Sequence, residues 1–108
     1  MIEATFVLGE RDYELSIQGH AGYSDNGNDI VCAGVSAIAF TLMGFLQNNK
    51  DDIGNISAQF LSGDLKVKCK SGGERIKTAF DMALIGLQQI AHKYPKHVKV
   101  TIDPATGG

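Results

Sequence analysis

His20 and Cys32, twelve positions apart, are the side chains of this 108-residue sequence best suited to covalent chemistry. They lie in the segments Gly19-His20-Ala21-Gly22-Tyr23 and Asp29-Ile30-Val31-Cys32-Ala33-Gly34-Val35-Ser36-Ala37. The first segment closes an alternating apolar run, the second opens a long apolar stretch, and a glycine-rich loop joins them. This arrangement puts an imidazole at the end of a strand and a thiol in the first turn of a helix. Free backbone N–H groups and the positive end of the helix dipole stabilise a thiolate at such a place. A neighbouring His can deprotonate the thiol or pair with it as an ion, then protonate a leaving amine. The same N–H groups are candidates for an oxyanion hole. Asp29 has two readings, as the third member of a triad orienting the imidazole or as the helix N-cap, and residue physics favours the cap.

Spacing alone also admits a plainer account. A Cys in an apolar helix is more often a small core residue, and a single His in a loop is usually structural or solvated. Strict alternation from Tyr13 sets His20 on the face opposite the core, so the chain must twist or bulge at Gly19 for His20 to meet Cys32. Glycines at 19 and 22 give the backbone that freedom.

The elements that must position these residues follow from periodicity. Ile2, Ala4, Phe6 and Leu8 alternate with Glu3, Thr5 and Val7, and Tyr13, Leu15 and Ile17 alternate with Glu14, Ser16 and Gln18. With Gly9-Glu10-Arg11-Asp12 between them, these runs predict a β-hairpin. A loop from Gly19 leads to a helix over about Val31 to Asn48, capped by Asp29 or Asn28 and apolar nearly all round. Strands follow at Ile56 to Leu61 and Leu65 to Lys70, joined by Ser62-Gly63-Asp64. Ser71-Gly72-Gly73 opens a second helix, in which Ile76, Ala79, Phe80, Ala83, Leu84, Leu87 and Ala91 recur at three- and four-residue steps. Pro95 stops it, and Val98, Val100 and Ile102 make a short last strand. The order ββαββαβ predicts an α+β two-layer sandwich, an antiparallel or mixed sheet with two helices on one face. One domain over residues 1–103 and a polar tail over 104–108, with no core to join, complete the organisation.

Composition narrows the function. Ten basic against twelve acidic residues give a net charge of -2, and the absence of a concentrated basic surface argues against nucleic acid as a direct ligand. Trp is absent and aromatics are 7%, so no stacking platform for bases or sugars is present. The uncharged run from Ile30 to Leu46 is short for a membrane span, diluted by Ala and Gly, and without flanking Trp or Tyr anchors; it reads as a core helix, with no membrane partner. Two cysteines make no disulfide framework and no secretory signal opens the chain, so a reduced, cytoplasmic setting is expected. One His and one Cys do not supply a metal site, and no metal or other cofactor is expected. Cys69 alternates with Lys66, Lys68 and Lys70, so it points inward with Leu65 and Val67 and should be inert, while the lysines form a solvated strand face. His92 and His97 flank Pro95 near a helix end, where a His often serves the helix dipole.

The Gly-His-Ala-Gly-Tyr segment followed by Asp-Ile-Val-Cys-Ala-Gly-Val-Ser-Ala resembles the signature of the Prp family, the bacterial ribosomal-processing cysteine proteases. The resemblance spans Ile2 to about Ile102 in element order and is specific from Gly19 to Ala37. It implies a small α+β homodimer that removes the N-terminal extension of a large-subunit ribosomal protein, cutting after a bulky apolar residue. By position it implies Cys32 as nucleophile and His20 as general base, with Asp29 and Ser36 as candidates for orienting or supporting roles. The apolar excess of the first helix independently suggests a homodimer. The loop from Ala21 to Asn28, with Gly22, Tyr23 and Gly27, is expected to be mobile, either as a gate that closes over the substrate or as a plain solvent connection. Residue chemistry alone leaves open a non-hydrolytic thiol redox protein using Cys32, or a dimeric ribosome-associated binding module. The lack of a CxxC motif weakens the redox alternative.

Overall fold

A computed structural model describes residues 1–24 and 29–104. Two strands, β1 (Ile2–Leu8) and β2 (Tyr13–Gln18), lead into helix α1 (Ile30–Asn48). A single 3-10 turn over Lys50–Asp52 separates α1 from β3 (Asn55–Leu61) and β4 (Asp64–Lys70), and α2 (Glu74–Lys93) precedes β5 (Val98–Pro104). The five strands form one mixed sheet in the order β3-β4-β2-β1-β5, with β5 parallel to β1 and every other pair antiparallel. The α+β sandwich expected from the element order is the architecture found.

Register explains the two faces. Phe6 pairs with Leu15, which pairs with Val67, while Tyr13 pairs with Cys69 and Ala4 with Ile17 and Val100. All of these point to one side and join a single apolar core with the helices. The intervening Thr5, Ser16 and Lys66 form the solvent face, where Lys66 sits 3.8 Å from Glu14. From α2 the core receives Ile76, Phe80, Ala83 and Leu87, the stripe its periodicity predicts.

Helix α1 is long and apolar enough to cross a membrane by length and composition alone. In the fold it lies in the helical layer and buries one stripe, Val31, Val35, Ala39, Leu42 and Leu46. Ile30 and Phe40 remain exposed, at 58% and 59%, so one sheet and one neighbouring helix do not cover it.

β5 continues past Ile102, and Asp103 and Pro104 pair with Val7 and Leu8. β1 extends to Leu8 and offers partners that far, so backbone pairing carries β5 beyond its apolar alternation. Residues 105–108 lie outside the described residues.

Candidate active site

Three chain segments meet at one end of the sheet because β2 pairs with β4 and β4 with β3. The pairing sets Gln18, the last residue of β2, opposite Asp64, which itself pairs with Leu61. The β3–β4 turn, Ser62-Gly63, therefore stands beside the segment leaving β2, and the Gly19 N–H donates to the Gly63 carbonyl at 2.9 Å. Gly19 has φ +93, and a Cβ there would overlap the Met1 carbonyl oxygen. Only glycine makes this turn without strain. Ala21 then buries its methyl group at 2% exposure, while the exposed His20 ring lies over Gly63. A Cβ at Gly63, itself at φ +71, would stand 2.7 Å from His20 Nε2. The base candidate thus rests on a glycine from another hairpin.

Cys32 is the third residue of α1 and is half-buried. Its Sγ accepts the Ala21 N–H at 3.4 Å, so the backbone next to His20 touches the thiol directly. This changes the expected electrostatics of the helix start. The Val31 and Cys32 N–H groups both donate to Asp29 Oδ1 at 3.0 Å, and the Ala33 N–H donates to the Asp29 carbonyl at 3.1 Å. Those N–H groups are not free for a thiolate or an oxyanion, because the N-cap has taken them. The donor that reaches the sulfur comes from the loop.

Asp29 is saturated. Its Oδ2 accepts from Tyr23 at 3.0 Å and Ser24 at 3.4 Å, so four backbone N–H groups meet its two oxygens. A carboxylate has about four lone-pair sites, which leaves none for an imidazole. These bonds, led by the one from Cys32, hold the Asp29 carboxyl below its usual range despite some opposing desolvation. A depressed carboxyl contributes order above its unfolded pKa and loses it as pH falls through the folded value, so the staple between loop and helix persists into acid.

Two open cavities share a rim made of His20, Cys32, Ser36 and Ser62. One, of about 600 Å³, continues over Gly22, Ser24, Asp29 and Ala33. The other, of about 420 Å³, continues over apolar Val35, Phe40, Phe60, Leu61 and Leu65. Ser36 lies four residues after Cys32, one helical turn on, which brings it to the same face. An extended chain laid across this rim would have polar walls on one side of the thiol and apolar walls on the other. Among the described residues, no three His, Cys, Asp or Glu side chains converge as a metal site needs.

Residues 1–99 match the family described as cysteine protease Prp. The chain belongs to the Prp family. It is similar to the ribosomal processing cysteine protease Prp of Mycoplasma genitalium, 28% identical over 86 residues that cover 80% of this chain and 84% of that protein. Among solved structures, Prp from S. aureus with a covalently linked product peptide superposes with a TM-score of 0.83 at 20% identity, over 95% of this chain and 100% of that one. SMU.848 from Streptococcus mutans superposes with a TM-score of 0.71 at 28% identity, covering 97% and 96% of the two chains. As a Prp, the chain is a cysteine protease, a hydrolase of peptide bonds.

Within this Prp the second thiol is set apart. Cys69 is fully buried opposite Tyr13, with its sulfur 3.2 Å from where a Cβ on Gly72 would stand. Burial pushes its thiol up to about 11, and the carboxylates of Asp12 and Asp52 add to the rise. Of the expected gate residues, Gly22 has φ +67 with open space around it, and Gly27 lies outside the described residues. Tyr23 packs edge-on against Tyr94 and His97, each with ring centroids at 5.3 Å. Ser62 and Gly63 were legible only as a turn, because nothing local reveals which strand end that turn will stand beside. His97 was legible only as a helix-end residue. Its ring instead reaches the Ala21 carbonyl across 76 positions of chain, with Nδ1 at 2.9 Å.

Proposed function

We propose that this Prp removes the N-terminal extension of a large-subunit ribosomal protein, with Cys32 as nucleophile and His20 as general base. The observation that carries this reading is the shared rim of the two cavities, on which both side chains stand. The names of the curated relatives, ribosomal processing cysteine proteases, support the substrate class.

In the proposed reaction His20 takes the Cys32 proton and Sγ attacks the scissile carbonyl carbon, forming a tetrahedral adduct. Collapse of the adduct breaks the C–N bond, and the proton on His20 goes to the leaving amine. Water, deprotonated by His20, then hydrolyses the thioester and returns the thiol. The apolar cavity beside Phe40, Phe60 and Leu61 suits a bulky apolar side chain next to the cut. Incubating the protein with the extended ribosomal precursor should yield, by mass spectrometry, one shortened product that begins just after a bulky apolar residue. An uncut precursor, or cuts scattered without an apolar residue before them, overturns the reading. Its proposed setting is the cytoplasm, where a ribosomal precursor is met.

A homodimer is proposed with it, paired through the outer face that α1 shares with α2, away from the rim. Met82 and Ile85 are 67% and 55% exposed there, beside an apolar cavity of about 390 Å³ over Ala37, Ile38, Phe45 and Ala79. Isologous pairing buries such a patch twice. Light scattering at micromolar concentration should give twice the 11.5 kDa chain mass, and Met82→Asp should halve it. A wild-type monomer overturns the pairing.

A further inference from the structure

We infer that His97 is a positioning residue for catalysis, fixing through its Nδ1–H the Ala21 carbonyl and hence the short segment that carries His20 past Cys32. The inference rests on the protease reading above and adds to it a residue from the far end of the chain.

The segment His20-Ala21 lies between two glycines in positive-φ conformations, Gly19 at +93 and Gly22 at +67. Glycine permits these angles and does little to hold them. What holds the segment is its polar contacts on either side of Ala21. On one side the Ala21 N–H donates to Cys32 Sγ at 3.4 Å; on the other the Ala21 carbonyl meets His97 Nδ1 at 2.9 Å. A carbonyl can only accept, so the bond requires the proton on Nδ1, which either the Nδ1–H tautomer or the imidazolium provides.

His97 is itself anchored well enough to act as a fixed post. Its N–H donates to the Tyr94 carbonyl at 2.9 Å, and its carbonyl accepts the Ile2 N–H at 2.8 Å. The α2–β5 turn and the first residue of β1 therefore fix its backbone, and the edge-on Tyr23 ring at 5.3 Å confines its imidazole. The post stands on the rigid side of the fold, and the catalytic segment is tied to it. Loss of the tie would leave the Ala21 peptide free to rotate about its glycines, taking the N–H from the sulfur and shifting His20. Misplacement of a reacting group by about 1 Å costs on the order of 10²-fold in rate.

The choice of side chain makes a sharp test. Asn places its amide nitrogen close to the position of Nδ1, whereas the longer Gln carries its amide out toward Nε2. His97→Ala and His97→Gln should lower kcat on the ribosomal precursor by about 10- to 100-fold with KM within about 3-fold. His97→Asn should recover most of the loss. Iodoacetamide labelling of Cys32, read by mass spectrometry without any substrate, should slow in Ala and Gln and recover in Asn, because the Ala21 N–H stays on the sulfur only while the Ala21 carbonyl is tied. Asn no better than Gln, an unchanged kcat in His97→Ala, or a loss confined to KM overturns the assignment. If His97→Ala fails to fold, the Asn–Gln comparison decides. If the wild type leaves the precursor uncut, the protease reading fails while the labelling order still judges His97.

Discussion

Cys32→Ala should reduce cleavage of the ribosomal precursor to background, a loss on the order of 10⁴-fold or more in kcat, and leave the thermal midpoint almost unchanged. The thiol accepts one long hydrogen bond and is only half-buried, so its removal opens no sealed cavity. Alanine is also the better helix former in the first turn of α1. Cys32→Ser keeps the shape and should be equally inactive, because its hydroxyl does not ionise under conditions that ionise a thiol. Labelling gives the same answer from the other direction. Iodoacetamide should modify Cys32 well before Cys69, whose thiol is buried and raised to about 11. Sustained cleavage by Cys32→Ala, or labelling of Cys69 first, would move the nucleophile elsewhere.

Periodicity revealed most of the architecture because each element buries one face. Ile2, Ala4 and Phe6 go inward as alternation requires, and Ile76, Phe80, Ala83 and Leu87 form the stripe that three- and four-residue steps predict. The 3-10 turn at Lys50–Asp52 was not legible, since it has no buried residue to leave a pattern. The strand order was not legible either, and the site depends on it. Only the pairing of β2 with β4 brings the β3–β4 turn, with Ser62 and Gly63, beside His20. Sequence chemistry singled out His20 and Cys32 as candidates, which line one rim, and the capping role that Asp29 takes, because thiol, imidazole and N-cap are readable from residue type and local position. It misjudged the donors around the thiol. Free helix N–H groups are a general property of helix starts, but here Asp29 occupies those of Val31 and Cys32. The contact from Ala21 and the anchor from His97 are tertiary, and no local signal announces them.

Gly19→Ala should be the most damaging single-methyl change outside the thiol, striking fold and catalysis together. A side chain at φ +93 is strained, and the added Cβ would run into the Met1 carbonyl, which is backbone in the β1 entry and has little room to yield. Strain of about 1–3 kcal/mol and overpacking of about 1–3 kcal/mol together predict a stability loss of about 2–6 kcal/mol. In a domain of this size that lowers the thermal midpoint by roughly 8 °C or more. The same methyl would pull the chain from the Gly63 carbonyl, which the Gly19 N–H meets at 2.9 Å, and carry His20 off the β3–β4 turn. His20→Ala provides the scale for the catalytic part: it should lose about 10²–10⁴-fold in kcat with the midpoint unchanged. Gly19→Ala should match that loss in the folded fraction and add the drop in midpoint. The comparison separates two roles that a single activity assay would merge, the proton transfer proposed for His20 and the placement of that side chain by Gly19. A Gly19→Ala protein that keeps the wild-type midpoint and turns over within twofold of wild type would mean that the bend at Gly19 does not place the base.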